Sequence, residues 1–233
     1  MRIYANCKEA MNEIKRNIYE LGIEVFPNSM QDKIVKGNEE FKTKELQNEC
    51  FTILDTTDKD SIVKKENLPW CHNEFFERVS RQENNPGSAW VLRKSTWEPF
   101  LEKNGKFAYT YSDRIREQLD PIIQELKQNP DSRQCVIDIH RPTDIKNLGG
   151  LHRLPCSLNY IFQIRKDGNG IKKLNLIYSM RSADYNLHVP QDIWLAAELK
   201  NYIAKEVGIQ AGSLTMNIAS LHIYKKDWEK NVY

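Results

Sequence analysis

One cysteine, Cys156, lies where a proline-containing loop meets an alternating run in the stretch LHRLPCSLNY, residues 151–160. A side chain at such a junction is held rigidly yet stays accessible, and a cysteine nucleophile needs both properties. Cationic neighbours favour the reactive thiolate, and Arg141, His152 and Arg153 lie nearby in the sequence. A free cysteine is more often simply packed, so the local sequence alone favours a buried thiol over a nucleophile.

A second cluster of polar residues occupies the stretch MRSADYNLHVPQDIW, residues 180–194. Arg181, Ser182 and Asp184 lie at the end of a predicted strand, and Asp192 lies in the first turn of a predicted helix. Arginine and serine beside a helix N-terminus are typical of a phosphate-binding site. Structural roles are the alternative, because acidic residues suit the first turn of any helix and Arg181 could form a surface ion pair.

Two shorter stretches could also contact a ligand. In SLHIYKKDW, residues 220–228, His222 and Tyr224 alternate along a predicted strand and therefore point to the same face. This pair could bind a sugar hydroxyl, or it could be two hydrogen-bonded core residues. In NPDSRQ, residues 129–134, Arg133 follows a turn and begins a strand, which by itself indicates no function.

Hydrophobic periodicity predicts the elements that position these residues. We expect Asp113 to cap the third helix, Pro121 to kink it or delay its start, and Gly208 to end the fourth. Strands dominate the second half without regular alternation with helices, which indicates an α+β fold with a mixed or antiparallel sheet. Helices are predicted at 8–21, 70–81, 113–128 and 191–207, one or two strands at 40–57, and single strands at 133–142, 157–165, 173–181 and 213–225.

Length and composition limit the class of protein. The 233 residues suit one large domain or two small ones, and the net charge of +2 gives no argument for a nucleic-acid or membrane partner. The N-terminus is too charged for a signal peptide, and no apolar run approaches the roughly 18 residues of a membrane span. Five cysteines without CxxC spacing argue against disulfides or a zinc site, so we expect a cytoplasmic protein.

The motifs NPDSRQ, LPCSLNY, MRSADYNLHVPQD and SLHIY together resemble the thymidylate synthase superfamily in their order and approximate spacing. Weaker matches, WCHNEFF at 70–76 and STWEPF…FAYTYSDRI at 95–115, extend the resemblance to residues 70–225. The resemblance implies one thymidylate synthase-like domain over residues 1–233, with 1–60 as a divergent N-terminal part. The implied fold is α+β, with a mixed β-sheet covered by helices and one sheet face forming a dimer interface.

The resemblance also implies a covalent mechanism. Cys156 matches the cysteine that attacks C6 of a pyrimidine, after which C5 takes a one-carbon unit from methylenetetrahydrofolate, a co-substrate. Glu74 matches the glutamate that orders water and moves protons at the base, with Glu77 as the alternative. Tyr111 matches a position that lines the catalytic cavity. The implied site contains no metal.

The implied substrate is a pyrimidine nucleoside monophosphate. Arg181 and Ser182 match the pair that binds its phosphate, and His222 and Tyr224 match the pair that binds the 3′-hydroxyl of its sugar. Arg133 matches the arginine that reaches the phosphate of the neighbouring subunit, which implies a homodimer with shared active sites.

On the folate side, the resemblance implies contacts from Trp97, Asp184 and Leu187, with Asp184 at the pterin. The sequence ends nine residues after Tyr224, whereas the synthases continue with a segment that closes over the folate. We expect a site without that lid to exclude water poorly, which suits hydration better than hydride transfer.

Two departures from the family pattern bear on the substrate. The family usually has a second arginine where this chain has Gln134, and His152 or Arg153 could replace its charge. Synthases carry asparagine, which pairs with uracil, where this chain has Asp192. A carboxyl group can accept a hydrogen bond from the N4 amino group of cytosine and, when protonated, donate one to N3. The cytidylate hydroxymethylases, in which water rather than hydride quenches the exocyclic methylene, resemble this chain in having aspartate there.

The sequence therefore predicts a cytidylate 5-hydroxymethyltransferase that uses methylenetetrahydrofolate, and it leaves open whether the substrate is CMP or dCMP. A thymidylate synthase or deoxyuridylate hydroxymethylase is an alternative that Asp192 disfavours. A non-catalytic nucleotide-binding homologue is another alternative, which the retention of Cys156 together with the implied binding residues disfavours.

Overall fold

Ten strands and six α-helices form in the part of the chain that the computed structural model describes, residues 1–30, 33–148 and 153–228. The strands are β1 (Arg2–Tyr4), β2 (Ile23–Val25), β3 (Ser29–Met30), β4 (Lys33–Ile34), β5 (Thr43–Ile53), β6 (Val136–Asp138), β7 (Ser157–Lys166), β8 (Lys172–Met180), β9 (Ala183–Asp184) and β10 (Gln210–Tyr224). The helices are α1 (Cys7–Leu21), α2 (Leu68–Val79), α3 (Lys94–Trp97), α4 (Tyr111–Gln128), α5 (Val189–Val207) and α6 (Lys225–Trp228).

One mixed sheet organises the fold, with the strand order β1-β5-β10-β8-β7-β6 and with β2 and β9 added beside β5 and β10. The central strand β10 runs antiparallel to β5 and parallel to β8. The strands β6, β7 and β8 are joined by antiparallel pairing. The α+β prediction is therefore confirmed, with a mixed sheet and helices packed against it.

The hydrophobic core lies between the sheet and the helices, and the alternating burial along β7 and β8 shows which side chains face it. Along β7, the side chains of Tyr160, Phe162 and Ile164 are buried while the residues between them are partly exposed. Most of α5 is buried as well, and its Trp194 packs edge-on against Phe75 of α2. Of the helices in the described residues, none is long and apolar enough to cross a membrane.

Several predicted boundaries differ from those in the structure, and local side-chain contacts account for two of the differences. The third predicted helix begins at Tyr111 because Thr110, not Asp113, is its N-cap: the Thr110 side chain accepts a hydrogen bond from the Asp113 backbone. The helix α4 then continues through Pro121 to Gln128. The strand predicted at 40–57 is a 3₁₀ turn followed by the single strand β5, and the helix predicted from 191 begins two residues earlier, at Val189.

The strand predicted at 133–142 is only three residues long, β6. A 3₁₀ helix begins at Pro142, and a buried ion pair of 2.7 Å between Arg114 and Asp144 fastens it to α4. By contrast, Gly208 ends α5 as predicted: its φ of +81° is the left-handed conformation that favours glycine.

Replacing Phe162 with alanine is expected to lower the free energy of unfolding by about 3–5 kcal/mol, because the fully buried ring leaves a cavity that the sheet and helices cannot fill. Urea denaturation measures the change. Lys166→Ala, at the exposed end of the same strand, is the control and should stay within about 0.5 kcal/mol of the unsubstituted protein. Equal effects of the two substitutions would contradict this placement of the core.

Candidate active site

A cavity of about 510 Å³ opens where α2, the start of α5 and the ends of β8 and β10 meet. Of the residues predicted to form the site, these line it: Glu74, Trp97, Tyr111, Cys156, Arg181, Ser182, Asp184, Leu187, Asp192, His222 and Tyr224. Arg133 does not: it is exposed on the turn that follows α4. The fold therefore brings together motifs that lie up to 150 residues apart in the chain.

Cys156 lies immediately before β7, partly exposed, with Arg181 fixed beside it. The Arg181 guanidinium donates to the carbonyl oxygens of Pro155 at 2.9 Å and Leu154 at 3.1 Å. Its Nη2 lies 3.7 Å from the Cys156 Sγ. A positive charge held this close to the sulfur favours the anionic, nucleophilic form of a thiol.

The other four cysteines lie outside the cavity. Burial raises the pKa of Cys71 to about 12 and also raises the pKa values of Cys7 and Cys135, so these three thiols stay protonated and unreactive. Cys50 is half-buried on β5. Cys156 is thus the one cysteine that combines a cavity position with an adjacent cation.

Asp192 lies in the first turn of α5 and faces the cavity. Withdrawal from water raises the pKa of this carboxyl to about 7, and the nearby guanidinium groups of Arg78 and Arg93 limit the rise. Near neutral pH the group is therefore divided between a carboxylate that accepts hydrogen bonds and an acid that donates one.

A buried arginine, Arg78, was not identified from the sequence. Its Nε donates to the Glu74 Oε1 at 2.9 Å, and its guanidinium lies 4.0 Å from the centre of the Tyr111 ring. Only 5% of the residue is exposed, and its Nη1 approaches the Tyr160 hydroxyl at 3.4 Å. The sequence does contain an indication of its role: Arg78 lies four residues after Glu74 on the same helix, and residues at this spacing share a face.

The alternative carboxylate, Glu77, holds a loop. Its Oε1 accepts hydrogen bonds from the backbone of Ser88 at 2.5 Å and of Ala89 at 2.9 Å. Gly87 has a φ of +70°, and a Cβ there would lie 2.3 Å from the Glu77 carboxylate. Both glutamates line the cavity, but the Glu77 carboxylate is bonded to the loop backbone, whereas the Glu74 carboxylate is paired with Arg78.

Tyr111 is fixed by a buried hydroxyl network. Ser157, next to Cys156, donates to the Tyr111 hydroxyl at 3.0 Å and also bonds to the Tyr178 hydroxyl. Burial raises the pKa of Tyr111 well above its usual value, so the phenol keeps its proton. A neutral phenol that accepts a hydrogen bond from Ser157 can donate its own proton toward a ligand.

At the opposite end of the cavity, His222 and Tyr224 contact each other edge-on, with ring centres 5.2 Å apart. Burial lowers the pKa of His222 and lowers that of the neighbouring His188 to about 4, so both imidazoles are neutral at pH 7. Asp184 is buried, and its Oδ1 accepts hydrogen bonds from the backbones of Asn186 and Leu187 at 2.9 and 3.2 Å. Burial nevertheless raises the pKa of Asp184 to about 6.

An aromatic wall forms the third side of the cavity. The Trp97 ring stacks on Trp70 with centres 6.1 Å apart. The Arg153 guanidinium lies against Trp97 at 4.4 Å and Tyr109 at 4.7 Å, and two phenylalanines complete the enclosure. The sequence suggested Arg153 as a phosphate ligand, whereas in the structure its guanidinium lies against these aromatic rings. His152, the other residue considered for that role, lies outside the described residues.

Asp192→Asn is expected to make the free energy of unfolding less dependent on pH. In the unsubstituted protein the unfolded carboxyl ionises from about pH 4, whereas the folded one holds its proton to about pH 7. The unsubstituted protein should therefore lose stability relative to Asp192→Asn as the pH rises from 4 to 7, with no further loss above that. Urea denaturation across this range measures the difference, and a constant difference would contradict the raised pKa.

Within the described residues, no group of three or more His, Cys, Asp and Glu side chains is arranged to hold a metal ion.

Comparison with known proteins gives consistent matches. Residues 38–232 match the family model described as thymidylate synthase. A candidate thymidylate synthase of Methanosarcina barkeri is 33% identical over 135 residues, 55% of this chain and 58% of that protein. Another, from Methanosarcina acetivorans, is 31% identical over 199 residues, 73% of this chain and 88% of that protein.

The crystal structure of thymidylate synthase from T4 phage matches 96% of this chain and 79% of that chain, with a TM-score of 0.71 and 21% identity. At this identity the match shows the fold. The chain spans a little over half the length, 58% and 56%, of the first two curated relatives that it matches.

Proposed function

The chain belongs to the thymidylate synthase family, and from that premise we propose that it hydroxymethylates C5 of a cytidylate, CMP or dCMP, with methylenetetrahydrofolate as co-substrate. The observation that carries this proposal is Asp192, a cavity-facing carboxyl group with a pKa of about 7. Its two protonation states suit the two hydrogen-bonding groups of cytosine, and neither requires a change in the surrounding structure.

Cytosine presents a donor at N4 and an acceptor at N3. As a carboxylate, Asp192 accepts from N4, and as an acid it donates to N3, where negative charge develops when a thiolate adds to C6. The adjacent Gln191 supports this assignment: it lines the cavity, and its buried Oε1 accepts no hydrogen bond from the described residues. A buried acceptor next to Asp192 suits a ligand with an amino group better than one with a carbonyl.

The aromatic wall fits the co-substrate. Trp97 offers a ring surface, and its buried indole Nε1 has no acceptor among the described residues, so a planar heterocycle with acceptor atoms could satisfy it. Trp97, Asp184 and Leu187 would hold methylenetetrahydrofolate, which supplies a one-carbon unit at the oxidation level of formaldehyde when bound.

The residues of the chain supply the remaining steps. The Cys156 sulfur bonds to C6 of the cytosine, and the electron pair moves to the ring, which makes C5 nucleophilic. After C5 has gained its one-carbon substituent, Glu74 and the Tyr111 phenol would move the C5 proton, directly or through water. The bond between that substituent and the folate nitrogen breaks with the loss of this proton, so that tetrahydrofolate leaves and C5 carries an exocyclic methylene. Water then adds to the exocyclic methylene, and breaking of the C6–S bond returns the thiolate.

Other residues of the cavity would bind the phosphate and the sugar of the nucleotide. Arg181 and Ser182 would bind the phosphate, and His222 and Tyr224 the sugar. Arg133 would serve the cavity of a second copy, in a homodimer that joins through one sheet face and shares its active sites. Its exposed position away from its own cavity supports that assignment.

Thymidylate synthase activity is the second candidate, because the relatives carry that name. Incubation with CMP, dCMP, UMP and dUMP, each with and without methylenetetrahydrofolate, separates the candidates by the mass of the product. A gain of CH₂O on a cytidine nucleotide supports the proposal, whereas a gain of a methyl group on dUMP would refute it. Nucleotide binding without any product would indicate a non-catalytic homologue.

Cys156→Ser should abolish turnover, by at least about a thousandfold, because a serine hydroxyl is not ionised near pH 7. Nucleotide affinity, measured by calorimetric titration, should stay within a few fold because the binding residues are unchanged. Cys50→Ser, a half-buried cysteine outside the cavity, is the matched control and should retain full activity. Retained turnover in Cys156→Ser would exclude Cys156 as the nucleophile.

Asp192→Asn should shift the ratio of kcat/KM for cytidine over uridine nucleotides by at least about tenfold toward uracil, since an amide cannot supply both states of the carboxyl. The pH dependence of kcat/KM for the cytidine nucleotide should also change, because the variant lacks the carboxyl group with a pKa of about 7. The same base preference in the variant and the unsubstituted protein would remove Asp192 from base recognition.

A further inference from the structure

A glutamate on β5 belongs to the sugar end of the cavity and was not identified from the sequence. In the antiparallel pairing of β5 with β10, Glu45 lies directly opposite His222. Residues opposite each other in such a pair share a face, and so do residues two apart on one strand. Glu45, Ser220, His222 and Tyr224 therefore project together, and all four line the cavity.

These side chains form a hydrogen-bonded chain. The Ser220 hydroxyl donates to the Glu45 Oε2 at 2.6 Å and lies 3.4 Å from the His222 Nδ1. The single hydroxyl proton of Ser220 goes to Glu45, so a hydrogen bond between Ser220 and His222 requires the tautomer of His222 that is protonated at Nδ1. The neutral His222 then presents an unprotonated Nε2, which can accept a hydrogen bond from a sugar hydroxyl.

The second carboxylate oxygen of Glu45, Oε1, receives no hydrogen bond from the described residues, and the side chain is partly exposed at the cavity. A carboxylate oxygen accepts up to two hydrogen bonds, so this atom is an acceptor without a donor in the wall of a binding cavity. A ligand that fits this site should therefore carry two neighbouring hydrogen-bond donors, one for Glu45 Oε1 and one for His222 Nε2. Two adjacent hydroxyl groups on one ring meet that requirement.

We infer that Glu45 accepts a hydrogen bond from the 2′-hydroxyl of a ribose, and that the substrate is a ribonucleotide, CMP rather than dCMP. The inference rests on the proposed function, in which His222 and Tyr224 bind the neighbouring 3′-hydroxyl. Acidic residues recognise ribose hydroxyls in the same way in dinucleotide-binding folds. A deoxyribose would place a CH₂ group against the carboxylate and displace its water without replacing the hydrogen bond.

A purely structural role for Glu45 would act through Ser220, by orienting His222. Such a role affects both sugars alike, because both carry the 3′-hydroxyl. Recognition of the 2′-hydroxyl affects only the ribonucleotide. The ratio of the two affinities therefore separates the roles, whereas a single affinity does not.

The test is calorimetric titration of the full chain with CMP, dCMP, UMP and dUMP. The unsubstituted protein should bind CMP about 10- to 100-fold more tightly than dCMP, the range expected for one hydrogen bond to a charged group. Glu45→Ala should weaken the binding of CMP by that factor more than the binding of dCMP, and it should bring the ratio near one. Glu66→Ala, an exposed glutamate outside the cavity, should keep the original ratio.

Three results would overturn the inference: equal affinities for CMP and dCMP in the unsubstituted protein, a preference for dCMP, or equal weakening of both by Glu45→Ala. If Glu45→Ala does not fold, Glu45→Gln preserves the shape and should lower the ratio without abolishing it. The ratio of the affinities for UMP and dUMP tests the same sugar contact with a different base. If the cytidylate proposal fails, this ratio still shows whether Glu45 recognises the 2′-hydroxyl. Binding of none of the four nucleotides would instead refute the nucleotide site.

Discussion

The pairing of β5 with β10 is the interaction on which the rest of the structure depends. At one end this antiparallel pair carries Phe51 and Met216, fully buried in the core, and at the other it carries Glu45 and His222 in the cavity. The same two strands therefore contribute both to the core and to the site. Because β5 precedes every motif that indicated the family from the sequence, the early part of the chain contributes to the site although no motif there pointed to it.

Charge balance sets the chemical character of the cavity. Two carboxyl groups, Glu74 and Asp192, and one guanidinium, Arg78, meet where water is scarce. Arg78 bonds directly to Glu74 and acts on Asp192 only at a distance, so Glu74 is compensated by contact while Asp192 has a pKa near neutrality. These two carboxyl groups of the cavity therefore differ in their surroundings: one is in an ion pair, and the other is buried without a direct cationic partner among the described residues.

Sequence reasoning predicted the family, the fold class and most of the cavity because those depend on short motifs in a fixed order. It failed where a residue depends on a distant partner. Glu45 acquires its role from the register with His222, and the 3₁₀ helix that follows β6 is held to α4 by an ion pair between Arg114 and Asp144. Arg78 was missed for a different reason: hydrophobic periodicity identifies apolar side chains, and it gives no signal for a buried charge whose partner, Glu74, lies one turn away. The N-cap of α4 was misplaced because threonine and aspartate are both good caps, and only the hydrogen bond distinguishes them.

The register of β5 against β10 also limits how this protein can change over evolutionary time. Inserting or deleting one residue between Glu45 and Phe51 would turn every side chain on one side of the change to the opposite face, and either the core or the cavity would lose its lining. Point substitutions carry no such penalty, since they leave the ladder intact. Ligand preference can therefore change by substitution of single side chains along β5, whereas the pairing with β10 constrains the length of this strand.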